Sequence, residues 1–189
     1  MERDFITVVS GLPRSGTSLM MQMLDAGGIG PLTDRVRTAD EDNPRGYYEF
    51  EPVKQTKRDA GWVPSAVGKA VKMIYQLLYD LPPAFAYRVV FMERKIEEVL
   101  ASQRTMLERQ GAQGAKLTDE QLAKVFGAQV AKCKAWLAAQ PNFDVQYVSY
   151  NDLVADPRPP AEALSEFLGD LDVDAMASVV DPSLYRQRR

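Results

Sequence analysis

Gly11, Arg14, Gly16, Thr17 and Ser18 fall within one eight-residue stretch, GLPRSGTS, set between two very different runs. Before it, Phe5-Ile6-Thr7-Val8-Val9 is apolar and β-branched, the composition of a buried strand. After it, residues 17 to 24 combine good helix formers with an apolar side. Strand, glycine loop and helix, in that order, aim backbone N–H groups and the positive end of a helix at one anion. The loop reads G-x-x-x-x-G-T-S, one residue away from the ATP-binding pattern G-x-x-x-x-G-K-[ST]. Thr17 stands where the lysine that grips the β- and γ-phosphates would be. What remains, N–H groups, two hydroxyls and the Arg14 fork, suits a single 5′-phosphate.

A second constellation lies later. Arg94 follows the apolar run 87–92, and Ser102 comes eight residues on, along a predicted helix. At about 100° per residue, Ser102 falls about 100° from the centre of that helix's apolar stripe, on a flank that can face a cleft. An arginine at a strand end and a hydroxyl on the next helix make another place for an anion. Two such places at neighbouring strand ends suit a nucleotide phosphorylated at two separate positions.

Both places need a frame to hold them. Tyr87–Met92 reads as a strand buried on both faces and Val145–Tyr150 as another. Ala70–Ile74 reads as a short strand, with a helical alternative running on to Leu78. One helix is expected from Lys95 to Leu107, with Ile96, Val99, Leu100, Met106 and Leu107 as its stripe. A capping box at Thr118–Gln121 starts a second, ended by Pro141, whose Leu122, Val125, Phe126, Val130, Cys133 and Leu137 face inward. Pro159-Pro160 introduces a third, Ala161 to Leu168, closed by Gly169, and a short one follows near Asp174 to Val180. Residues 31–52 are irregular and 53–68 stay unassigned, the length of segment that in compact domains carries function or disorder. Strands alternating with helices imply an α/β fold, a parallel sheet covered on both faces, with its ligand at the carboxyl ends of the strands.

The composition narrows the chemistry. At 189 residues without a compositional break, one domain is expected over 1–189. A net charge of −3 argues against a general nucleic-acid surface, so any anion is held by a local cluster. The single cysteine, Cys133, excludes an intramolecular disulfide and reads as a small core residue. No apolar run reaches membrane-spanning length, and MERDF is charged where a signal peptide turns apolar, which predicts a cytoplasmic chain without membrane insertion. There is no histidine, hence neither a histidine base nor a histidine–metal site.

The loop GLPRSGTS resembles the 5′-phosphosulfate loop of sulfotransferases, and MERKIEEVLASQ resembles their 3′-phosphate segment, with its arginine and serine eight apart. VSYNDLVADPRPPAEALSEFLG is similar to their later strand–helix unit, and DPSLYRQRR to the end of bacterial members. The resemblance covers most of the chain outside its middle. It implies a three-layer P-loop fold, 3′-phosphoadenosine 5′-phosphosulfate as donor without a metal, and transfer of the sulfuryl group to a hydroxyl or amine of a small-molecule acceptor. It would place Pro13, Arg14, Ser15, Gly16, Thr17 and Ser18 around the 5′-phosphosulfate, Arg94 and Ser102 on the 3′-phosphate, and Arg186 or Arg188 closing over it. Arg14 matches a position where many members carry lysine and would stabilise the departing charge. Lys72 loosely matches a lysine near the leaving oxygen.

The acceptor's base is where this chain departs from the resemblance. Most cytosolic members use a histidine there, so a carboxylate is the remaining option: Glu49 first, in NPRGYYEFE, and Glu51 next. Residues 31–68 would form the acceptor side, with Tyr47, Tyr48, Phe50 and Trp62 as an apolar wall. Two other readings stand: a nucleotide-binding relative without catalysis, and a small-molecule kinase, the latter opposed by the absent loop lysine and by Glu93-Arg94 where a magnesium-holding aspartate is expected. A homodimer is left open, as is whatever contacts the adenine.

Overall fold

Four strands, β1 (Ile6–Gly11), β2 (Ala70–Lys72), β3 (Tyr87–Glu93) and β4 (Phe143–Ser149), form one all-parallel sheet in the order β2-β1-β3-β4. They belong to a computed structural model that describes residues 3–34, 48–109, 111 and 117–181. The two inner strands are buried along most of their length, which is why they read as continuous apolar runs. Their side chains divide by parity. Val9, Val90 and Met92 enter one core with Met20, Met23 and Leu24 of helix α1 (Thr17–Ala26). Val8, Val89 and Phe91 enter the other, with Val99 of α2 (Ile96–Arg109) and with Cys133 and Leu137 of α3 (Asp119–Ala138). Helices α4 (Tyr150–Ala155), α5 (Arg158–Leu168) and α6 (Val173–Ser178) complete the α1 side. The α/β class and the parallel sheet between helical layers are therefore as expected.

The chain leaves β1 toward β2 on one side and afterwards builds β3 and β4 on the other. Crossovers thus diverge at the end of β1, the position where open parallel sheets form their ligand crevice. Gly11 is paired with Met92, so the glycine loop and the Arg94 segment leave the sheet side by side. That single register brings the two predicted anion places together.

Several boundaries moved. The strand expected at Val145–Tyr150 begins at Phe143 and ends at Ser149, because the Ser149 hydroxyl accepts from the Asp152 N–H and starts α4. Of Ala70–Ile74, only the first three residues pair, and Tyr75–Asp80 forms a 3₁₀ turn. Prolines 159 and 160 lie within the first turn of α5 rather than before it. The capping box holds: Thr118 and Gln121 satisfy each other's backbone N–H groups. Val125, expected inside, is 42% exposed. At about 100° per residue it lies about 100° from the line through Leu122, Phe126, Val130, Cys133 and Leu137.

Candidate active site

The loop after β1 is built from backbone that only certain residues accept. Gly11 has φ +144°, and a Cβ there would lie 2.6 Å from the Met92 carbonyl oxygen. The Ser15 N–H donates to the Leu12 carbonyl at 3.1 Å, which turns the chain back, and Arg14 takes a left-handed φ of 70°. Gly16 caps α1 at φ 101°, and no side chain supplies the cap. Thr17 and Ser18 open the helix, whose first-turn N–H groups have no intrahelical acceptor. Pro13 is exposed within the loop. The Ser15 hydroxyl is 1% exposed and has no hydrogen-bond partner. An orphaned buried hydroxyl beside an uncapped helix end fits an anion bound within this loop.

The second place is joined to the first through Arg14. Arg14 Nε donates to Ser102 Oγ at 3.0 Å, and Arg94 Nη1 donates to the Arg14 carbonyl at 3.1 Å. Arg94 Nε also meets Glu98 Oε2 at 2.9 Å, in a pair whose side chains are 8% and 0% exposed. The other Glu98 oxygen accepts from Asn151 Nδ2 at 3.0 Å. The Arg94 guanidinium stacks 4.5 Å above the Tyr150 ring centroid, a cation–π contact. The same ring abuts Gly16, where a Cβ would come within 2.3 Å of Tyr150 Cδ2. Burial pushes the Tyr150 hydroxyl above its ordinary value, with Arg94 the largest opposing influence, so it stays a neutral phenol near pH 7.

A third group completes the crevice. Lys72 Nζ, at the end of β2, lies 3.4 Å from Ser18 Oγ and 3.9 Å from Glu49 Oε1. Glu49 is placed by its backbone. Its carbonyl accepts from Thr33 Oγ1 at 2.8 Å and from the Asp34 N–H at 3.3 Å. Glu51 instead points its carboxylate at Lys54, with both side chains more than half exposed. Among the described residues, no group of three or more histidine, cysteine, aspartate or glutamate side chains is arranged to hold a metal. No helix there is long and apolar enough to cross a membrane.

The structure thus brings Arg14, Ser15, Gly16, Thr17, Ser18, Lys72, Glu49, Arg94 and Ser102 to one end of the sheet. Arg186, Arg188 and Tyr47 lie outside the described residues. Two of the aromatic residues expected around the acceptor do other work. Trp62 is 8% exposed, packs edge-on against Phe50 and donates its indole N–H to Thr56, as a buried tryptophan must. Tyr48 donates to Asp25 at the far end of α1, and burial, followed by the Asp25 charge, pushes its pKa up to about 12. Glu98, Tyr150 and Asn151 escaped the sequence reading. Glu98 could have been found, since 94, 98 and 102 repeat at helical spacing and a buried face would need a partner for the arginine. Tyr150 and Asn151 carry no local signal.

Comparison with known proteins agrees with this geometry. The family model described as the sulfotransferase domain matches residues 4–185. No curated protein matches the sequence. Among solved structures, the sulfotransferase domain from the curacin biosynthetic pathway aligns with a TM-score of 0.56 at 14% identity, covering 100% of this chain and 93% of its own. A sugar kinase from Janibacter sp. HTCC2649, unliganded, aligns over 94% of this chain and 96% of its own at 14% identity. Its TM-score of 0.42 is too low to bear on function.

Proposed function

The chain belongs to the sulfotransferase domain family, and from that premise we propose that it transfers a sulfuryl group from 3′-phosphoadenosine 5′-phosphosulfate to a hydroxyl or amine of a small acceptor. The observation that supports this reading is Arg14, which joins the helix-end loop to the Arg94 and Ser102 cluster by donating to Ser102 and accepting from Arg94. A mononucleotide carrying anions at both its 5′ and 3′ positions would use both clusters, whereas the loop lacks the lysine that grips a triphosphate.

The donor brings an activated sulfuryl group, and the reaction is an in-line displacement at sulfur. The loop N–H groups, Ser15, Thr17 and Ser18 would hold the 5′ side. Arg14 would neutralise charge growing on the oxygen that departs, the kind of fixed electrostatic help that costs no reorganisation. Lys72 would stand on the opposite flank, within reach of Ser18 and Glu49. Glu49 would take the acceptor's proton, and the bonds of its carbonyl to Thr33 and Asp34 would keep it in place. Binding without a metal and a cytoplasmic location belong to the same proposal.

Two measurements test it. The melting temperature is expected to rise more with 3′-phosphoadenosine 5′-phosphate than with ATP and magnesium, and equal shifts would count decisively against this donor. Glu49→Gln is expected to lower transfer of radiolabelled sulfate to a panel of phenols, sugars and amines by about 10²–10⁴-fold. Its affinity for 3′-phosphoadenosine 5′-phosphate should stay within about twofold if the carboxylate serves the acceptor alone; unchanged turnover would remove Glu49 as the base.

A further inference from the structure

Glu98 is the most buried charge at the site, and it lies one helical turn from Ser102 on the same face of α2. That face therefore touches both arginines. Ser102 receives Nε of Arg14, and Glu98 receives Nε of Arg94. A carboxylate this close to an anion site repels the anion, so its presence calls for a compensating role. Its geometry supplies one. With Nε held by Glu98, Nη1 held by the Arg14 carbonyl and its face held by Tyr150, the Arg94 fork is restrained in direction and in tilt.

We infer that Glu98 is a positioning residue of the second anion site: by accepting on both carboxylate oxygens it ties Arg94 to Asn151 and sets the preference for a 3′-phosphorylated nucleotide. The inference rests on the donor reading above. Only a carboxylate can do this in place. Glutamine offers one acceptor oxygen and one N–H₂ group, and the two neighbours, Arg94 Nε and Asn151 Nδ2, are both donors. Glu98→Gln therefore loses one of the two bonds. In the combined variant Glu98→Gln with Asn151→Asp, the polarity closes again. Arg94 then donates to the amide oxygen at position 98, and the amide nitrogen there donates to the new carboxylate at position 151. The negative charge moves to the neighbouring side chain and the chain of hydrogen bonds is restored.

The experiment is calorimetric titration of 3′-phosphoadenosine 5′-phosphate and of adenosine 5′-phosphate into the unmodified protein and each variant. The unmodified chain should prefer the doubly phosphorylated nucleotide. Glu98→Gln should weaken that nucleotide about tenfold, as expected for losing a charge-assisted hydrogen bond. It should leave adenosine 5′-phosphate within about twofold, which general loosening of the fold would not do. The combined variant should recover most of the loss. Tighter binding by Glu98→Gln would mean that the residue is only a repelling charge, and an unaltered ratio of the two affinities would equally overturn the inference. No preference in the unmodified protein would instead sink the donor reading. If Glu98→Gln does not fold, Asn151→Ala carries the test: a ratio reduced about threefold supports the role, and an unaltered one rejects it.

Discussion

Arg94→Ala is expected to destabilise the protein by about 3–5 kcal/mol, the range for breaking a buried ion pair from one side. The reason is the partner left behind. Glu98 is 0% exposed and would lose the guanidinium that compensates it, leaving a buried carboxyl to be accommodated at a cost. Tyr150 would lose the cation stacked on its ring, and the Arg14 carbonyl would lose a donor. Urea denaturation measures the loss. The double variant Arg94→Met with Glu98→Leu separates the charge penalty from lost packing: it should regain more than half of the stability, because an apolar pair of similar volume carries no desolvation cost. Asn151, only partly buried, can turn toward water. Neither variant should distinguish 3′-phosphoadenosine 5′-phosphate from adenosine 5′-phosphate. A loss under about 1 kcal/mol in Arg94→Ala would show the pair to be as weak as a surface one.

Gly16→Ala is expected to combine two penalties. At φ 101°, any side chain costs about 1–2 kcal/mol in backbone strain. The new methyl would also sit 2.3 Å from Tyr150 Cδ2 and 2.9 Å from Cε2, and forcing a well-packed ring aside costs about 1–3 kcal/mol more. The ring has little room to move, with Arg94 stacked on it. Gly28→Ala is the control, since its φ of 98° is similar and nothing lies within 4 Å of its Cβ position. Gly28→Ala should therefore show the backbone term alone, and the difference between the two measures the contact with Tyr150. Gly16→Ala should also weaken both nucleotides by about tenfold or more, in contrast to the selective effect at Glu98, because it deforms the loop itself. Equal stability losses for the two glycine variants would rule out the ring as the cause.

How much was legible beforehand depends on the range of the interaction. The glycine loop, the helix after it, the capping box at Thr118 and the double-faced burial of β3 rest on residues within one or two turns of each other, so local pattern suffices. Misplaced boundaries arose where a side chain outcompeted the pattern, as when Ser149 ended an apolar run by capping the next helix. Trp62 was misplaced for a related reason. A large aromatic residue in an irregular segment looks like a pocket wall, yet Thr56, six residues away, satisfies its N–H and allows full burial. The acceptor side was the least readable. The order Glu49 before Glu51 rested on no local pattern, and it is their side-chain neighbours in the fold, Lys72 for Glu49 and Lys54 for Glu51, that separate them.

The amino-acid sequence by itself determined a glycine loop and a helix start after the first strand, and an arginine and a serine eight apart after a later one. Tertiary structure alone decided that the two places share Arg14, whose partner Ser102 is 88 residues distant, and that Arg94 answers to a buried glutamate held by Asn151. The physical reason is register. Which residues meet at the crevice depends on Gly11 pairing with Met92 and Met92 with Val148, and that alignment is set by burying both faces of the sheet at once, a condition no local stretch contains.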